Sequence, residues 1–187
     1  MMDDETRTKL LEQLARGETT WAAALGLTRT EVYGIAHAAH RLLGLGQVEL
    51  ARKIVESLIV LNPQDGYFHA FLGAIRGQEG DEDAALRHYN DAITRDGKNL
   101  AARVNRAELY LRRGQLEAAL GDLTAATRID PEGKTPLGKR AVGLARGTAS
   151  AMHDALGHRK APTKSAEPEP VPAKKSGFFG KLFGTND

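Results

Sequence analysis

The residues with the clearest capacity for chemistry are the six histidines of this 187-residue chain. His37 and His40 stand three apart and share a helix face, and His69 falls in the next repeated unit. Three imidazoles can ligate a metal ion. These have no carboxylate or cysteine companion at a known ligand spacing, so they read as polar lining, and no metal or other cofactor is expected. His153 and His158 are five apart and do not share a face. There are no cysteines, which excludes disulfides, thiolate metal sites and a cysteine nucleophile. A nucleophile elbow, a phosphate loop, a paired-histidine zinc motif and a dinucleotide glycine pattern are all missing. No catalytic residue is therefore assigned, and the expectation is a binding protein and not an enzyme.

The elements that would position a binding surface follow from a strict period. Gly46, Gly80 and Gly114 are 34 residues apart, as are Ala51, Ala85 and Ala119, and Pro63, Gly97 and Pro131. Val55, Tyr89 and Leu123 keep the step, and so do Leu58, Ala92 and Ala126. Glycine suits a tight turn from a helix A into a helix B because it tolerates positive φ. A small alanine early in helix B lets helix A come close. The large apolar column one turn later fills the space between them, and proline or glycine ends helix B. An Ala- and Leu-rich composition with 5% aromatics agrees with an all-α chain.

The period and its columns resemble the tetratricopeptide repeat, a pair of antiparallel helices. Leu72-Gly73 matches the family's Leu-Gly step and Tyr110 its helix-A aromatic, whereas Ile35, His69 and Arg103 stand where the family has tryptophan. The resemblance implies a right-handed superhelical solenoid of three helix pairs at 32–65, 66–99 and 100–133, together spanning 32–134. N-terminal helices at 1–31 precede it, as one or two short helices within 9–16 and 20–25 that end at Gly17 and Gly26. Thr28 and Glu31 have capping-box spacing before the first repeat. Trp21 reads as a core or dimer anchor. A capping helix is expected at 135–157, opened by Thr135-Pro136 and carrying Leu137, Ala141, Leu144, Ala145, Ala149, Met152 and Leu156 at helical spacing.

Beyond residue 157 the composition changes. Four of seven prolines fall among Lys, Ala and Glu, so 158–176 reads as a disordered linker. It leads into a Phe-rich motif at 177–187. Phe178, Phe179, Leu182 and Phe183 would share one helix face beside Lys174, Lys175 and Lys181. That motif could dock in a partner's groove or in the chain's own groove, or give weak, reversible contact with a membrane surface. Residues 158–187 carry a net charge of +3, which leaves the rest near −1. A body without a basic stripe argues against nucleic acid. The N-terminus lacks an apolar segment of the secretory type, and a cytoplasmic location is expected.

In tetratricopeptide proteins helix A of each repeat lines a concave wall on which peptides lie. By repeat position the lining here is Tyr33, Ala36, His37 and His40, then Tyr67, Ala70, Phe71 and Ala74, then Ala101, Val104, Asn105 and Glu108. Small residues beside aromatics suit an extended apolar peptide of a protein partner. Some relatives grip a heat-shock protein's terminal carboxylate with Lys and Asn on helix A. Ala36 and His40 hold those places here, so that clamp is not expected.

A narrower resemblance lies in 28–96. Tyr67-Phe-His-Ala-Phe-Leu-Gly73, followed by Gly80 and Ala85, and Val60-Leu-Asn-Pro63 ending the first repeat, are similar to class II chaperones of type III secretion. The resemblance implies a cytoplasmic chaperone that holds an unfolded translocator, with a homodimer through the N-terminal helices. The alternative is a general scaffold or adaptor localised by its C-terminal tail.

Overall fold

The computed structural model describes residues 3–157 as an all-helical solenoid, with no strand among the described residues. The order is α1 (Asp4–Ala15), α2 (Trp21–Ala24), α3 (Arg29–Gly44), α4 (Val48–Leu61), α5 (Gly66–Gln78), α6 (Glu82–Arg95), α7 (Leu100–Arg112), α8 (Leu116–Ile129) and α9 (Pro136–Gly157). Helices α3/α4, α5/α6 and α7/α8 form the three pairs; α4 and α6 also pack on the first helix of the next pair, and α8 packs on α9. The linker and Phe-rich motif, with Phe178, Phe179, Leu182 and Phe183, lie outside the described residues.

The repeat columns do what their chemistry requires. Gly46, Gly80 and Gly114 close the A-to-B turns at φ of 76°, 85° and 70°, where a side chain would be strained. Ala51, Ala85 and Ala119 have no exposed surface, and neither do Val55 and Leu123. Tyr89 fills the same place in the second repeat and is also buried. Gly73 lies against the Tyr89 ring so closely that an added Cβ would stand 2.7 Å from it. The family's Leu-Gly step is thus a place where glycine makes room for a large aromatic on the facing helix.

Entry to the first repeat is set by a capping box. Thr28 Oγ1 accepts from the Glu31 N–H at 3.3 Å, and the Glu31 carboxylate accepts from the Thr28 N–H at 2.8 Å. Upstream, α1 begins at Asp4, earlier than the apolar stripe alone indicates, because Asp3 caps it by accepting from the Thr6 N–H at 2.8 Å. The expectation for Trp21 is corrected in one respect: the ring is 44% exposed and is no part of this chain's core, and Leu25 and Leu11 are exposed as well. Ala22, the next residue, is the one that α2 buries, in a cluster with Val32, Ala36, Leu58 and Phe68.

The last repeat joins its cap through Asp130, which is buried. Its carboxylate accepts from the N–H groups of Lys134 and Thr135, each at 2.9 Å, and from the Thr135 hydroxyl at 2.8 Å. Thr135 Oγ1 in turn accepts from the Gly138 N–H and starts α9. Leu137, Ala141, Leu144 and Ala145 close over Val104, Ala107, Leu123 and Ala126. Ala149 belongs to the same spacing but is exposed, whereas Met152 is partly buried.

Candidate functional site

Helices α3 and α5 bring a row of rings together. Tyr33 stacks on Tyr67 with centroids 5.4 Å apart, and His40 stacks on Phe71 at 3.9 Å with the planes 11° apart. His40 Nε2 lies 3.1 Å from the Tyr67 hydroxyl, which ties the two stacks into one surface. Phe68 lies behind, fully buried, and meets both tyrosines. Offset and tilted ring pairs add to ordinary burial, by about 0.5–1.5 kcal/mol each.

Asp65 holds this surface in place. It is the N-cap of α5 and accepts from the Tyr67 N–H at 3.0 Å through Oδ1. Its Oδ2 accepts from the Tyr33 hydroxyl at 2.7 Å. Burial, with Asp65 as a lesser cause, raises the pKa of both tyrosines, so they remain neutral hydroxyls at physiological pH. Burial, reinforced by His37, lowers that of His40 and favours its neutral ring. The row is therefore a largely apolar surface whose own polar atoms are uncharged, with the Asp65 carboxylate and the Arg29 guanidinium, 5.2 Å from the Tyr33 ring centre, at its edge. Sequence reasoning passed over Asp65, although an acid two residues before an aromatic at a helix start is a cap signal.

The twelve expected lining residues fall into three groups. Tyr33, His37, His40, Tyr67, Ala74 and Ala101 offer surface. Ala36 and Val104 offer none and are core, while Ala70 and Phe71 are each 5% exposed and form a floor. Asn105 and Glu108 are already engaged. The Asn105 side chain is bonded to the buried Tyr89 hydroxyl, whose pKa burial pushes up to about 12. Glu108 pairs with Arg140 of α9, which donates through Nη2 at 2.7 Å and also approaches through Nε. Accessible aromatic surface is thus concentrated on repeats one and two, and the third repeat's end of the wall is polar and tied to the cap.

His37, His40 and His69 do not form a cluster. His40 belongs to the aromatic row, whereas His69 is buried on the opposite side of α5, about 160° round the helix from Tyr67. There it meets His88 and Asp91 of α6, which sequence reasoning missed. Burial lowers the pKa of both His69 and His88.

The places of the family's tryptophan are filled three ways. Ile35 is 38% exposed. His69 faces His88, with ring centroids 6.3 Å apart. Arg103 reaches buried Asp122 at 3.3 Å, where Arg106 also donates at 2.6 and 2.7 Å. One 34-residue step links Ile54, His88 and Asp122 on the B helices. The B-helix member of this slot is thus the aliphatic Ile54 in the first repeat, His88 facing His69 in the second, and Asp122 paired with two arginines in the third.

Comparison with known proteins agrees with this architecture. The family model described as tetratricopeptide repeat matches residues 78–138. Stress-induced-phosphoprotein 1 of Caenorhabditis elegans is 31% identical over 84 residues, which is 45% of this chain, and the chain spans only 26% of that relative's length. The type III secretion translocator chaperone SycD of Yersinia enterocolitica superposes with a TM-score of 0.60 at 25% identity, over 68% of this chain and 97% of SycD. SycD in complex with a peptide of the translocator YopD superposes with a TM-score of 0.58 at 24% identity, over 67% of this chain and 97% of that one. The chain has a tetratricopeptide-type helical repeat fold, and within it residues 78–138 match the family's model. Its three-repeat core resembles the translocator chaperones of type III secretion. Among the described residues no helix is long and apolar enough to cross a membrane.

Proposed function

We propose that this protein is a non-catalytic, cytoplasmic chaperone of the type III secretion kind, which holds an extended apolar segment of a client protein against the A helices of its first two repeats. The observation that carries this reading is the ring row of Tyr33, His40, Tyr67 and Phe71, held together by stacking and a hydrogen bond, with His40 exposed and both tyrosines partly open above a Phe71 floor. A surface built in advance costs less to order on binding, and aromatic anchors in such a surface dominate peptide affinity. Likeness to a chaperone whose structure includes a bound translocator peptide supports the same choice of client. Exposed Trp21, Leu25 and Leu11 make the N-terminal helices the natural place for a homodimer contact.

Tyr67→Ala is the sharper test. Phe71 is nearly buried, so its loss would damage the fold along with binding, whereas Tyr67 is partly open. The full chain and Tyr67→Ala are used to capture partners from the source cells, and the bound segment is then synthesised and titrated. The expected result is one dominant apolar client whose affinity falls by about 1–3 kcal/mol in Tyr67→Ala, which stays folded at a lowered melting temperature, with Tyr67→Phe close to the parent in binding. Several partners that bind both forms equally would instead identify an adaptor working through its Phe-rich tail.

A further inference from the structure

We infer that His69, His88 and Asp91 form a binding site for one divalent transition-metal cation of the zinc class, on the side of α5 away from the ring row. Their ligand atoms lie within 4.8 Å of one another. His88 and Asp91 are three apart on α6 and project from one face, and His69 supplies the third ligand from α5. Tetrahedral bonds of about 2.0–2.2 Å would bring the ligand atoms to roughly 3.3 Å apart. Imidazole and carboxylate torsions are broad enough to close that difference without moving either helix.

Two independent features distinguish this from a chance cluster. The first is that Nδ1 of His69 and Nδ1 of His88 are both buried and lack any hydrogen-bond partner. A buried polar atom left in this way is costly, and native structures keep few of them. The second is the fixed tautomer of His69. Its Nε2 lies 3.1 Å from the Pro63 carbonyl oxygen, which can only accept. Nε2 therefore carries the hydrogen, and in the neutral ring Nδ1 is a bare lone pair aimed at His88 and Asp91. Metal-bound histidines are oriented in just this manner, by donating the other ring N–H to a carbonyl or carboxylate.

The carboxylate is similarly prepared. Arg95 Nη1 donates to Asp91 Oδ1 at 3.3 Å, and Arg95 Nε donates to the same Pro63 carbonyl at 2.7 Å. That leaves Asp91 Oδ2 facing His69 Nδ1 at 4.0 Å. The nearby arginine Arg76 is already paired with Glu56 and Glu79. Asp91 is half exposed, so an ion can enter beside it, and water completes the fourth position. Such an ion would pin α5 to α6 and stiffen the helix that carries Tyr67 and Phe71.

The test uses the full chain in chelator-free buffer, titrated with Zn2+ alone by calorimetry and with Co2+ by visible absorption. The expected result is one saturable Zn2+ per chain, intense tetrahedral Co2+ bands, and a melting temperature raised by about 3 °C or more at saturation. His88→Gln and the near-isosteric Asp91→Asn should each loosen Zn2+ at least about 10-fold, while exposed His153→Gln leaves it unchanged. Circular dichroism verifies that each variant is folded, and Asp91→Asn serves if His88→Gln is not. Absence of saturable binding overturns the proposal, and so does equal affinity in the parent and in the folded ligand variants. Neither result depends on whether a peptide binds the ring row.

Discussion

Asp65 uses each carboxylate oxygen for a different task, one to start a helix and one to hold the Tyr33 ring in its stack. Removing it should therefore affect two properties together. Asp65→Ala is expected to lower stability by about 1–2 kcal/mol, the usual loss for an N-cap, and also to weaken client binding. Denaturant unfolding and peptide titration of the same variant provide the check. Tyr33→Phe separates the two effects, since it removes the hydroxyl's bonds to Asp65 and Arg29 and leaves the cap. At this scale the sequence was partly legible. The aromatics of the row were marked by their repeat positions. His88 and Asp91 were not, because polar residues on a B helix look like a solvated face until His69 is seen to be turned away from its expected wall.

Helix pairs are held by complementary sizes on facing positions, most tightly where Gly73 admits Tyr89. Gly73→Ala places a methyl 2.7 Å from the ring, and Tyr89 has little room to yield because it is 3% exposed and its hydroxyl is bonded to Asn105. The expected cost is about 1–3 kcal/mol, measured by urea unfolding against Gly121→Ala, whose added Cβ would meet nothing. Helix ends were the most legible part of the sequence, since glycine at positive φ and proline after a helix act locally and recur on the 34-residue grid. Burial of a given lining residue was less so. Ala36 and Val104 share the A-helix positions of the wall yet are wholly covered, because coverage depends on how neighbouring helices approach and not on spacing within one helix.

Across the whole molecule, cooperation between the last repeat and its cap passes through Asp130. The Thr135 N–H, the Thr135 hydroxyl and the Lys134 N–H hold its carboxyl below the ordinary 3.8. A group whose folded pKa is depressed contributes stability that is present above its unfolded value and is lost as pH falls through its folded value. Asp130→Asn, which cannot accept the same set of donors, should be less stable than the parent at neutral pH. The gap between the two should narrow below about pH 4, as thermal unfolding across a pH series will show. The differently filled A–B slots have a further consequence for assembly. A chain of similar units risks pairing the first helix of one unit with the second helix of another, as happens in domain exchange. Here that error would part Asp122 from Arg103 and Arg106 and leave a buried carboxylate without its cations. The third hairpin thereby carries its own address, written in two arginines that answer one buried aspartate.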